Sequence, residues 1–152
     1  MTNNDILRKL RYTYDFNDDK MIGIFESAGE IQTRATISNW MKKDDDPDYK
    51  SMSDFDMAVF LNGFIYLKRG QQEGKELVHE KTLTNNLILR KLKIALNLTD
   101  DDIIDLFTKA ELTVSKPELS ALFRRVDHKH YRPCKDQFLR NFLMGLQLKE
   151  RK

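Results

Sequence analysis

Residues 2 to 70 and residues 84 to 152 repeat one another, and no other feature limits the fold of this chain so strongly. Shifted by 82 positions, Thr2-Asn3-Asn4-Asp5-Ile6-Leu7-Arg8-Lys9-Leu10 lies over Thr84-Asn85-Asn86-Leu87-Ile88-Leu89-Arg90-Lys91-Leu92, with eight of nine residues identical. The register continues without a gap through Asp18-Asp19 and Asp100-Asp101, Phe25 and Phe107, Ser38 and Ser120, Tyr49 and Tyr131, to Phe60-Leu61-x-Gly63 and Phe142-Leu143-x-Gly145. A duplicated segment of this length is expected to bury its own apolar face. Residues 71–83, which include Gln71-Gln72-Glu73-Gly74-Lys75-Glu76, are polar and aperiodic and read as a linker between a first unit, 1–70, and a second, 84–152.

Within each copy the apolar residues have helical spacing. Ile6, Leu7, Leu10 and Tyr14, matched by Ile88, Leu89, Leu92, Ala95 and Leu96, form the stripe of a first helix. Asn17 and Thr99 stand at N-cap positions before acidic first turns, and the second helix is expected to bury Met21, Ile22, Phe25 and Ala28, or Ile103, Ile104, Phe107 and Ala110. Thr33 and Ser115 cap a third helix with Ile37, Trp40 and Met41, or Leu119, Leu122 and Phe123, on its inner side. A fourth carries Met57, Phe60, Leu61 and Phe64, or Leu139, Phe142, Leu143 and Leu146. Gly63 and Gly145 interrupt that stripe at a cost of about 1 kcal/mol each, which points to a close helix approach. No strand pattern of useful length occurs, so the predicted class is all-α: two tandem bundles of about four helices, with helices two and three in helix-turn-helix-like order.

At 40% hydrophobic and 33% charged residues the chain has the composition of a globular protein. It contains no apolar run long enough to span a bilayer, its first residues do not resemble a secretory signal, and its one cysteine, Cys134, has no partner for an internal disulfide. A cytoplasmic protein with no membrane partner is expected. The residues of both copies named above, together with His130-Tyr131-Arg132-Pro133-Cys134-Lys135-Asp136-Gln137-Phe138-Leu139-Arg140-Asn141-Phe142-Leu143, resemble the YehS-like family of bacterial proteins over nearly the whole chain. That family is a two-copy domain of unknown function, so the resemblance implies a bacterial cytoplasmic protein and carries over no activity.

The distribution of charge is more informative than the net +2. The first copy has 10 basic and 12 acidic side chains, the second 14 and 9, giving formal balances of −2 and +5. Helix three is where a nucleic-acid reader would place its contacts, and its outer side is predicted to present Arg34, Thr36, Asn39, Lys42 and Lys43, or Lys116, Glu118, Ala121, Arg124 and Arg125. Of these, Arg34, Asn39, Lys42, Lys43, Lys116, Arg124 and Arg125 are the nucleic-acid candidates. The loop before helix four changes sign between copies, from Asp44, Asp45, Asp46 and Asp48 to His128, Lys129, His130 and Arg132. Those eight residues are the candidates for the alternative function, a protein-interaction or self-assembling adaptor in which acidic and basic loops attract. A further basic feature lies on helix one, at Arg8-Lys9 with Arg11 and Arg90-Lys91 with Lys93.

Catalytic motifs are lacking: there is no P-loop, nucleophile elbow, dinucleotide fingerprint or His-Glu-x-x-His, and no small-molecule substrate is identifiable. Asp127, His128, His130 and Cys134 have metal-ligand chemistry, but their spacing fits no established zinc pattern. A non-enzymatic binding module without metal or cofactor is therefore expected, with nucleic acid, a protein or a second copy of the chain as partner.

Overall fold

The computed structural model describes residues 1–151, which contain eight α-helices and no strand. One compact unit spans Met1–Leu83 and a second starts at Thr84. The first holds α1 (Asn3–Tyr14), α2 (Asp18–Ser27), α3 (Arg34–Met41) and α4 (Asp54–Arg69); the second holds α5 (Asn85–Leu96), α6 (Asp100–Lys109), α7 (Lys116–Phe123) and α8 (Asp136–Glu150). No helix among the described residues is long and apolar enough to cross a membrane.

The cap chemistry explains where the helices begin. Thr2 accepts from the Asp5 N–H while the Asp5 carboxylate accepts from the Thr2 N–H, a reciprocal capping box that holds the Asp5 carboxyl below the usual range despite its partial burial. Thr84 caps α5 in the same way, yet Leu87 stands where Asp5 would be, so the single mismatch in that nine-residue match removes half of the box. Asn17, Thr33, Ser53, Thr99 and Ser115 cap α2, α3, α4, α6 and α7. Lys135, at the head of α8, supplies no cap hydrogen bond.

Packing within each unit centres on the last helix. A Cβ added at Gly63 would lie 2.1 Å from the Ile24 carbonyl oxygen, and one at Gly145 would lie 2.1 Å from that of Leu106. The two glycines thus let the backbones of α2 and α4, and of α6 and α8, touch. This approach also corrects the predicted stripe of the second helix: Ile24 and Leu106 are buried, whereas Ile22 and Ile104 are only half-buried. The backbone that meets the glycine belongs to the residue three positions after Met21 or Ile103, and it carries its own side chain inward. Ala121 is likewise buried, although the sequence pattern placed it on the outer side of α7.

The repeated Thr-Asn-Asn segment has a structural role that local sequence does not announce. Asn4 donates through Nδ2 to the carbonyls of Trp40 (3.0 Å) and Lys50 (2.8 Å), and its Oδ1 accepts from the Met52 N–H at 2.9 Å. Asn86 repeats the set with Leu122 (3.0 Å), Arg132 (2.8 Å) and Cys134 (2.8 Å). Asn3 and Asn85 bind the carbonyls of Met52 and Cys134 and the carboxylates of Asp54 and Asp136. In each unit one helix start therefore clamps both ends of the long loop that leads to the last helix. Buried backbone groups must find partners, and here two asparagines provide them.

Residues 77–83 attach to the first unit. Asn62 of α4 donates to the Val78 carbonyl, His79 lies within hydrogen-bond distance of both Asn62 (2.9 Å) and the Ala28 carbonyl (2.8 Å), and the Leu83 N–H donates to Asp54. Accordingly α4 is buried at every position from Met57 to Ile65, while α8 is buried along one stripe only.

Candidate anion-binding groove

In the second unit, the outer side of α7 and the loop from Arg124 to Lys135 enclose an open groove of about 1120 Å³. Lys116, Arg124, Lys129, Arg132 and Lys135 line it, with His130 beside them and Glu118 as the only carboxylate. The five cationic side chains belong to exposed residues, whereas Ala121 and Leu122 are buried and Tyr131 and Phe138 half-buried. Cations therefore form the rim, and apolar and aromatic groups the floor. Phe138 is fixed from below by an edge-on contact with Phe107, ring centres 5.8 Å apart.

The groove wall is anchored at both ends. The Arg132 N–H donates to the Ala121 carbonyl at 3.0 Å, and Asn86 holds Leu122, Arg132 and Cys134 as described above. Between these points two turns shape the loop, from His128 N–H to Arg125 O and from Tyr131 N–H to His128 O. His128 Nδ1 accepts from the His130 N–H at 3.0 Å, so in its neutral form the ring carries its proton on Nε2. The Arg124 guanidinium, 3.4 Å from that Nε2, then faces another donor and gains no hydrogen bond from it.

Electrostatics in the groove are one-sided. The Ser115 N–H donates to the Glu118 carboxylate, and with the Ser115 hydroxyl and the charge of Arg132 it holds that carboxyl below the usual range. Glu118 is thus committed to the α7 capping box. Lys116 lies 3.4 Å from Asp101, but both side chains are mostly exposed, and such a pair is worth little in water.

The first unit builds the same loop with different chemistry. Its turns run from Asp46 N–H to Lys43 O and from Tyr49 N–H to Asp46 O, and the Lys50 N–H donates to the Asn39 carbonyl. Pro47, Asp48, Ser53 and Asp56 occupy the positions of Lys129, His130, Lys135 and Phe138. Over these four positions the first unit carries two carboxylates and no ammonium group, the second two ammonium groups and no carboxylate. The candidate cations of the first unit also engage their own neighbours. Arg34 meets Asp18 at 3.1 Å and Asp19 at 2.6 Å, and the hydrogen bond from Arg11, with a smaller contribution from Arg34, holds the Asp18 carboxyl below the carboxylate range. Lys42 donates to the Asn39 side chain at 2.8 Å, and Lys43 borders a separate hollow of about 290 Å³ with Asp44 and Asp45.

Of the sequence-derived nucleic-acid candidates, Lys116 and Arg124 line the groove, and so do Lys129, His130 and Arg132 from the interaction set. Arg125 does not; it points away toward Asp127 at 3.5 Å. Asp44, Asp45, Asp46 and Asp48 remain together on the loop of the first unit. Tyr131, a candidate aromatic for the interaction reading, lies there too, and Lys135 and Phe138 complete the groove without having been singled out as contacts, although the lysine at an N-cap position was a readable signal. On the first helices, Arg8 and Arg90 donate to the Lys42 and Phe123 carbonyls at the ends of α3 and α7, so these arginines serve the fold. Cys134 is buried, its thiol pushed up to about 11 by burial and by Asp136, and no cluster of three metal-ligating side chains occurs among the described residues.

Comparison with known proteins adds two findings. A family model described as "Protein of unknown function (DUF1456)" matches residues 3–70 and again residues 85–152. "Uncharacterized protein YehS" of Escherichia coli (strain K12) is 39% identical over 151 residues, covering 99% of this chain and 97% of that protein. No solved structure matches.

Proposed function

Starting from the fact that this chain belongs to the DUF1456 family, in two copies, we propose that it is a non-enzymatic binding module whose second unit holds nucleic acid along the α7 groove. The observation that carries this reading is the convergence of Lys116, Arg124, Lys129, Arg132 and Lys135 on one groove whose sole carboxylate is already used as a helix cap. Anions are the ligands such a rim selects, and a polyanion is the ligand that uses all five cations at once. A rim fixed by Asn86 is also organised before binding, which lowers the ordering cost.

Fluorescence anisotropy of the full chain with a labelled mixed-sequence oligonucleotide tests this. With four or five phosphates engaged, affinity should fall about a hundredfold between roughly 50 and 200 mM salt. Absence of binding at the lower salt would remove the proposal. A second reading rests on the matching turns of the two loops and their opposite charge: the acidic loop at Asp44 to Asp48 of another copy would occupy the groove. It requires oligomers that dissociate when Lys129 and Arg132 are both changed to Glu, as read by sedimentation.

A further inference from the structure

We infer that the groove takes a single strand in preference to a duplex, with a base seated on its aromatic floor; this rests on the nucleic-acid reading above. The division between rim and floor motivates it. The cations are exposed, while Tyr131 and Phe138 are half-buried behind them and Ala121 and Leu122 close the base of the groove. A duplex presents its phosphates on a convex surface with its bases stacked inside, so it touches the rim and leaves the floor empty. A single strand has free bases, and aromatic side chains behind a line of cations are the elements that hold one.

The shape of α7 argues the same way. A helix that reads the major groove needs side chains that donate to or accept from base edges in pairs, chiefly arginine, lysine, asparagine or glutamine. Between Lys116 and the Arg124 that follows it, α7 contains none of these. Its outward residues there are Pro117, Glu118 and Ser120, and with Glu118 held in the capping box none is free to make such a paired contact. In the first unit the position of Phe138 is occupied by Asp56, and that of Lys135 by Ser53, so only the second unit has this ring and this cation, while Tyr131 has its counterpart in Tyr49.

Anisotropy titrations at low salt should compare a labelled single-stranded DNA of roughly 12 nucleotides with the same strand annealed to its complement. The expected result is at least about tenfold tighter binding of the single strand, a loss of about tenfold on Tyr131→Ala for that strand alone, and retention with Tyr131→Phe. Should Tyr131→Ala fold poorly by circular dichroism, Phe138→Leu tests the floor with the same readout. Equal or tighter binding of the duplex overturns the single-strand inference and leaves the nucleic-acid reading standing. Binding of neither overturns both.

Discussion

Lys135 should trade stability for binding, and replacing it with serine should reverse the trade. At the head of α4 the equivalent Ser53 accepts from the Asp56 N–H at 3.1 Å. The backbone at Lys135 (φ −73°, ψ 156°) already matches that at Ser53 (φ −72°, ψ 160°), so serine would cap α8 without rearrangement. A serine cap is worth about 1 kcal/mol, and removing a positive charge from the positive end of a helix dipole adds about 0.5 kcal/mol. Together these raise the melting temperature of the second unit by roughly 10 °C. The same change deletes one rim cation, so oligonucleotide affinity should fall and the slope of log K against log salt should shrink by about 0.7. Calorimetry and anisotropy on Lys135→Ser decide both halves. An unchanged melting temperature refutes the capping argument, and an unchanged salt slope refutes the place of Lys135 in the anion site.

Other parts of the structure predict results of their own. Asn86→Ala leaves the Cys134 N–H and the Leu122 and Arg132 carbonyls without their partner, so urea denaturation should show a loss of about 3 kcal/mol. Gly145→Ala should cost about 1 to 3 kcal/mol because its Cβ meets the Leu106 carbonyl, while Gly23→Ala, with open space around it, should gain up to about 1 kcal/mol; thermal melts compare the two. The Cys134 thiol, raised to about 11, should react slowly with a disulfide reagent near neutral pH until the chain unfolds. Because the folded state disfavours the thiolate and the unfolded state does not, the Cys134 contribution to stability should be present below the ordinary thiol range and be lost as pH rises toward 11, as read by denaturation in alkaline buffers.

Local chemistry was legible in the sequence, and long-range chemistry was not. Asn17, Thr33, Thr99 and Ser115 could be read as caps because a cap concerns a few consecutive residues. Gly63 and Gly145 could be read as points of close approach because the missing side chain lies on an apolar stripe. Asn4 and Asn86 gave no such signal, since their partners are 36 to 48 residues away and an asparagine in a first helical turn looks ordinary. The exchange of Ile22 for Ile24, and of Ile104 for Leu106, followed from where another helix makes its approach, which spacing within one helix does not contain. Ala121 failed similarly: a small residue beside a loop that folds back onto α7 is covered whatever its helical phase. The groove draws on one helix, one loop and the start of the next helix. Four of its five cations therefore fell into two separate candidate sets and Lys135 into neither, and its aromatic floor had no periodicity to reveal it.

The central claim, that the second unit and not the first holds the nucleic acid, is tested most directly by amide chemical-shift mapping of the full chain titrated with a single-stranded oligonucleotide. Shifts should concentrate between residues 116 and 138, with residues 34–56 nearly silent although they share the same backbone plan. Shifts centred on 34–56, or spread equally over both loops, would contradict the account.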